Sequence, residues 1–319
     1  MKKILSIDIG YGHCKIVYGT SDGTIIKKFK FQSAIGVTKK NPNVPDTRIY
    51  DYKEHSYYVG ENATALPSEN RIDIKEYKAL EYYAPLLLHH ALKQIDSHPD
   101  MIVAGLSVSQ INSSGHFKEA IQKYTVEGTE YSFDEVFIIP QGAGSKLTID
   151  KYGVNFPKEQ DEFLGQSNYV GVDIGFNTLD MFLVKDGKTS PALFEGIEKE
   201  GVMKIATLIA KKVHELHGRT IGLHEAEQIL STGVYKLRGQ KHDFKTYNEE
   251  VKKQYLKDLL KLIEVKYGKI IDQMDFISVT GGGAALFKSN TKDGFIRVPK
   301  DNFEYFNSIG QFLFGCRKA

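Results

Sequence analysis

Two aspartates in this sequence stand in the same short pattern. Asp8 closes the apolar run of SIDIGYGHCKI (residues 6–16), and Asp173 closes that of GVDIGFNTLDM (residues 171–181). The segments align without a gap, Asp8 with Asp173, Gly10 with Gly175 and Tyr11 with Phe176, about half the chain apart. Each β-rich stretch ends at an acid and a glycine, which puts a carboxylate where a strand must turn. Two such acids, one from each copy, could face one another across a cleft. Two further segments carry chemistry. In PQGAGSKLT, Pro140 and two glycines fix a turn, and the Gln141 amide is a group able to orient a water molecule. In DFISVTGGGAALF, Gly281, Gly282 and Gly283 lack Cβ atoms where a base or ribose could lie against backbone. The helix expected to follow would offer free amides to phosphate.

The elements that must position these groups alternate between strand and helix. After each copy of the motif a second strand, KIVYG or DMFLV, runs into an Asp-Gly turn, Asp22-Gly23 or Asp186-Gly187, so each half opens with a three-strand meander. MIVAGLSVS reads as a buried strand and YSFDEVFIIP as a strand or strand pair. Leu80, Tyr83, Leu87, Ala91 and Ile95 recur at helical spacing within 74–95. Helices are also expected over 197–217 and over 247–268, where Val251, Tyr255, Leu259, Ile263 and Tyr267 repeat every four residues. The alternation predicts an α/β fold. Residues 39–75, rich in Asn, Pro, Asp, Lys and Tyr and with a hairpin in RIYDYKEHSYYVG, read as a small inserted lobe.

Other chemistries fit poorly. Lys146 follows Ser145 where a P-loop needs glycine. Gly10-x-Gly12 lacks the third glycine of a dinucleotide fingerprint, Lys15 standing there, and it runs into a strand instead of a helix. His214 and His217 are three apart, not the zinc-binding H-E-x-x-H, and are read as structural. Two cysteines, Cys14 and Cys316, supply neither a disulfide framework nor a Cys-based metal cluster. With 42 basic against 40 acidic side chains the formal charge is +2, so direct contact with nucleic acid is not expected. MKKILSIDIG is interrupted by Asp8, unlike a signal peptide, and no run approaches the ~18 apolar residues that span a bilayer. A cytoplasmic protein without membrane association is expected. At 319 residues, 41% hydrophobic and 26% charged, two packed domains are the natural size.

Taken in order, the motifs resemble those of the superfamily of actin, sugar kinases and heat-shock chaperone ATPases, over nearly the whole chain. SIDIGYGHCKI resembles the first phosphate loop, PQGAGS the first connecting segment, GVDIGFNTLD the second phosphate loop, VTGGGAAL the adenosine motif and FEYFNSIGQFLFG the second connecting segment. Within that superfamily, P-Q-G-A-G and F-N-S-I-G-x-x-x-x-G are similar to the plasmid-segregation actins of the ParM type and to archaeal actin-like proteins. The resemblance implies an α/β, two-domain actin-like ATPase fold with a duplicated β-meander core and an interdomain nucleotide cleft. Domain I would comprise 1–140 with 305–319 and carry the lobe at 39–75, and domain II would comprise 141–304.

The resemblance also implies ATP or ADP with Mg²⁺ in the cleft. Backbone around Gly10, Tyr11, Gly12, Gly175, Phe176, Asn177 and Thr178 would clasp the phosphates, with Lys15 adding positive charge and Gly281, Gly282 and Gly283 at the adenosine. Asp8 and Asp173 would hold the metal through its waters, Gln141 would orient the attacking water, and Asp180 would help to fix the second turn. It further implies hydrolysis coupled to assembly into a filament of this chain, moving plasmid or other DNA through a DNA-binding adaptor. A small-molecule kinase of the sugar type and a non-polymerising regulator are the alternatives on the same scaffold.

Overall fold

The computed structural model describes residues 1–40, 46, 48–72, 74–154, 167–189, 191–287 and 294–319. Strands β1 (Lys3–Ile9), β2 (His13–Thr20) and β3 (Ile25–Gln32) form the expected antiparallel meander, with Asp8 directly opposite Lys15. The inserted lobe is a four-stranded sheet of β4 (Ile35–Thr38), β5 (Tyr50–Tyr52), β6 (His55–Val59) and β7 (Arg71–Ile72), with the one-turn helix α1 (Glu61–Thr64). It begins earlier than residue 39, because Ile35–Thr38 supplies a strand. Residues 41–45, 47 and 73 of the expected lobe lie outside the described residues.

Helix α2 (Tyr77–Ile95), strand β8 (Met101–Leu106), helix α3 (Ser114–Gln122), the hairpin β9 (Lys123–Val126) and β10 (Thr129–Ser132), and strand β11 (Glu135–Pro140) complete the first half. Its central sheet has the order β11-β8-β1-β2-β3. Helix α4 (Ala143–Tyr152) leads into the second half. There β12 (Tyr169–Ile174), β13 (Thr178–Val184) and β14 (Phe194–Glu198) repeat the meander. Helices α5 (Met203–His217) and α6 (Leu223–Thr232), the hairpin β15 (Val234–Leu237) and β16 (Gln240–Asp243), and helix α7 (Lys245–Tyr267) follow. Strands β17 (Phe276–Thr280) and β18 (Ile296–Arg297) then close the sheet in the order β14-β13-β12-β17-β18. The duplication seen in eleven-residue motifs therefore extends to two whole sheets, each a meander flanked by two parallel strands. Helix α8 (Phe306–Lys318) ends the chain.

Two expectations need correction. Residues 194–198 are a strand, and the helix expected from 197 starts at Met203. The Asp22-Gly23 turn leads straight into β3. The Asp186-Gly187 turn, both residues at positive φ, is closed by the Lys185–Lys188 bridge, but β14 begins only at Phe194 after a 3₁₀ turn.

Side-chain alternation assigns the faces. On β1, Leu5, Ile7 and Ile9 pack outward beneath α2 and α3, whereas Ile4 packs inward against Ile309 and Phe312 of α8, so Ser6 and Asp8 also point inward. Ser6 Oγ accordingly donates to Ser308 O of α8 at 2.6 Å. On β12, Val170, Val172 and Ile174 face the outer core of α5, α6 and α7, while Tyr169 packs inward with Ile149 of α4 and Phe306 of α8. By period two, Asp173 is inward as well. Between the two sheets, α4 and α8 cross where their glycines meet: a Cβ on Gly310 would lie 1.8 Å from the Gly144 carbonyl oxygen. The molecule is thus layered as helices, sheet, two crossed helices, sheet, helices, with both strand-end acids on the inner faces.

Candidate functional site

Asp8 and Asp173 arrive from opposite sheets at one cavity of about 300 Å³. The first turn contributes Gly10, Tyr11 and Gly12, and the second contributes Gly175 and Phe176, followed by Thr178. Lys15, Gln141, Gly282 and Gly283 join them. The two turns touch, since a Cβ on Gly12 would lie 2.9 Å from Phe176 Cβ.

Asn177 and Gly281, expected at the ligand, do not line the cavity. Asn177 is buried. Gly281 adopts φ 83°, and a Cβ there would lie 2.5 Å from Ile174 O; one on Gly283 would lie 2.3 Å from Ile174 Cγ2. Two of the three glycines are therefore required by packing on the end of β12. Only Gly282 has open space where its Cβ would be. Where a helix is expected after them, the described residues form a 3₁₀ segment, Gly282–Phe287.

The acids are held in different ways. Asp8, 2% exposed, accepts from Lys15 Nζ at 3.1 Å and from Gln141 Nε2 at 2.6 Å. Burial alone would lower the Lys15 pKa, but the carboxylates of Asp8 and Asp173 outweigh it and hold the ammonium above its ordinary range. Asp173, 5% exposed, has no cation of its own. Its Oδ2 accepts from Thr280 Oγ1 and Asn307 Nδ2 at 3.0 Å and from Ser145 Oγ at 3.1 Å. Burial pushes its carboxyl up to about 6, with Lys15 pulling it down and Asp8 pushing it up. Asn307 also accepts from the backbone N–H of Gly142 and Ser145 through Oδ1, capping α4 from α8. Asp180 does more than brace the second turn: its Oδ1 accepts from Ser107 Oγ at 2.8 Å and Val108 N at 2.9 Å, both in the other half. Burial pushes this carboxyl up to about 7.

Sequence reasoning missed His13, Lys30, Ser107, Gln110, Glu227 and Glu304, which also line the cavity. His13 lies inside the first phosphate-loop segment and Glu304 inside FEYFNSIGQFLFG; the other four lie outside the motifs. Burial pushes His13 down to about 4, against the pull of Glu227, so it is neutral near pH 7.

The donor set suits a hydrated cation beside a polyanion. Among the described residues no cluster of three or more His, Cys, Asp or Glu side chains could ligate a metal directly. Two carboxylates from opposite sides, with Gln141 and Thr178, instead fit an ion that keeps its own waters, as Mg²⁺ prefers. No helix among the described residues is long and apolar enough to cross a membrane.

Residues 6–144 match the family model of the N-terminal domain of actin-like proteins, and residues 171–293 that of the C-terminal part of the archaeal MreB-like actin homologues. No curated protein matches the chain by sequence. Among solved structures, the chain is similar to the archaeal actin homologue Ta0583, at 18% identity and TM-score 0.76, with 100% of each chain covered. The same homologue in complex with ADP aligns at 16% identity and TM-score 0.74, again over 100% of each chain. A 15-stranded ParM filament from Clostridium botulinum aligns at 19% identity and TM-score 0.76, over 100% of this chain and 99% of that one. At these identities the structures establish the fold. Two actin-like family models match successive halves of the chain, each covering one copy of the duplicated aspartate motif, and the protein belongs to the actin-like family.

Proposed function

We propose that this actin-like protein binds ATP or ADP with Mg²⁺ in the cleft, hydrolyses ATP, and assembles into filaments in the cytoplasm. The observation that carries the reading is the meeting of Asp8 and Asp173, from duplicated hairpins on opposite inner faces, around one cavity with Lys15 between them. The ADP complex of Ta0583 and the filament of ParM support nucleotide and self-association respectively. Bound Mg²⁺ would supply positive charge to the phosphates as negative charge develops. Asp8 and Asp173 hold its water shell, and Lys15 adds a fixed charge beside them. Gln141 is anchored through Nε2 on Asp8, which leaves its carbonyl oxygen to accept a hydrogen bond from a water molecule and orient it for attack. Hydrolysis of this kind depends on positioning, so closure of the halves governs it. Moving plasmid or other DNA through a separate DNA-binding adaptor is the cellular task we infer, and the near-neutral charge of the chain agrees with indirect contact.

Asp8→Ala and Asp173→Ala should each lower Mg²⁺-dependent ATP hydrolysis by at least about tenfold. Parental rates in both would sink the cleft assignment. Wild-type protein should sediment on addition of ATP; a protein that stays monomeric over all concentrations would instead favour a small-molecule kinase on this fold.

A further inference from the structure

The halves are joined at a second place besides the α4–α8 crossing. Residues 107–110, which follow β8 in the first half, lie against the β13–β14 hairpin of the second half at three successive points. Asp180 on β13 accepts from Ser107 Oγ and Val108 N at 2.8 and 2.9 Å. Gly196 on β14 is paired with Asp180 in the ladder, and a Cβ there would lie 2.5 Å from Ser109 N and 3.0 Å from Ser107 Oγ. Glu198, two residues on and paired with Thr178, accepts from Gln110 Nε2 at 2.9 Å. Because strand side chains alternate, Asp180, Gly196 and Glu198 share one face of the hairpin, the face turned toward the other half. Ser107, Gln110 and Asp180 are buried, at 3%, 5% and 1% exposed, whereas Glu198 is at the exposed rim of the contact.

Gln110 does more than bridge the halves. The same Nε2 that donates to Glu198 also donates to Tyr11 Oη in the first hairpin turn. Its two protons thus tie together the turn at the phosphate end of the cavity and the opposite half of the molecule.

We propose that residues 107–110 are a latch between the halves, in which Gln110 is a positioning residue coupling the shape of the first turn to closure of the cleft. The idea rests on reading the cleft as a nucleotide site. A ligand pressing on the first turn shifts Tyr11, Tyr11 shifts Gln110, and the hold on Glu198 changes with it. With the latch made, the halves stay closed over the ligand; with it broken, the ligand leaves.

Gln110→Glu sets two carboxylates against each other and should open the halves. Release of N-methylanthraniloyl-ADP in Mg²⁺ should then quicken by about tenfold or more, the scale of losing a charge-assisted hydrogen bond. Dyes on Lys123→Cys and Lys236→Cys, one in each half, should report a longer distance by energy transfer. Adding Glu198→Gln restores a donor and an acceptor and should return both readings toward the parent. Gly196→Ala, whose methyl displaces Ser109, should loosen the latch independently and serves if the Gln110 variant melts too early to measure. Parental release and distance in Gln110→Glu, or failure of Glu198→Gln to rescue it, would overturn the latch. If wild-type protein does not bind the labelled ADP, the nucleotide reading falls, while the distance measured on ligand-free protein still decides the latch.

Discussion

The two hairpin turns share a sequence plan and differ in what surrounds their acids. Asp8 is paired with a cation, Lys15, which faces it across the β1–β2 ladder. Asp173 faces Asp180 at the matching place in β12–β13, and is held only by the neutral donors of Ser145, Thr280 and Asn307. The same Asp-Ile-Gly motif therefore yields a charge-compensated carboxylate in one half and a carboxylate raised to about 6 in the other. A repeat in sequence fixes backbone and position. What surrounds each acid differs at one matching position inside the motif, Lys15 in the first copy and Asp180 in the second, and in the donors that come from outside it.

The sharpest way to break this contrast is Lys15→Met, which leaves Asp8 buried without its cation. Such changes cost roughly 3–5 kcal/mol, and we expect that loss in chemical denaturation. Next is Gln141→Ala, which removes a positioning contact and should slow phosphate release by about 10²–10³-fold, or ~2.7–4 kcal/mol of barrier. Nucleotide binding and ATP-dependent assembly should survive, so filaments followed by light scattering should outlast those of the parent; their rapid disassembly at normal hydrolysis rates would make Gln141 a turn residue only.

The first half also carries an acid-sensitive site away from the cleft. His89, 1% exposed between the rings of Tyr50 and Tyr131, is pushed down to about 4 by burial, with Lys93 and His90 adding to the shift. Glu127 is its nearest acid, at 3.8 Å. A histidine depressed in the folded state is neutral in both states above the ordinary value near 6.5, so it carries no penalty there. As pH falls from about 6.5 to 4, the unfolded chain takes up the proton and the folded one does not. Stability is lost over that window, by on the order of 3 kcal/mol. His89→Phe should flatten that part of the pH–stability curve; an unchanged slope would assign the acid sensitivity elsewhere. The smallest effect belongs to Ser145→Ala, which takes one of three neutral donors from Asp173 and should cost about 1–2 kcal/mol. A loss as large as that of Lys15→Met would show that the two acids are anchored alike.

Local pattern determined a good deal by itself. Alternation and a turn at glycine made the two meanders legible, and a four-residue repeat located α7, whose Val251, Tyr255, Leu259, Ile263 and Tyr267 are all buried. The same alternation ties Asp8 to Ser6 and Ile4 on one face of β1, so its inward orientation follows once one neighbour is placed. What the tertiary structure decided is which distant groups meet. Gln141 reaches Asp8 across 133 residues, Asn307 reaches Asp173 across 134, and Gln110 reaches Glu198 across 88. None of these pairs has a periodicity or spacing of its own, because a hydrogen bond between distant strands depends on how two sheets stack on α4 and α8. The glycines of residues 281–283 show the same limit: a glycine marks a close approach of backbone, and only the fold reveals that Gly281 and Gly283 admit Ile174 while Gly282 faces open space.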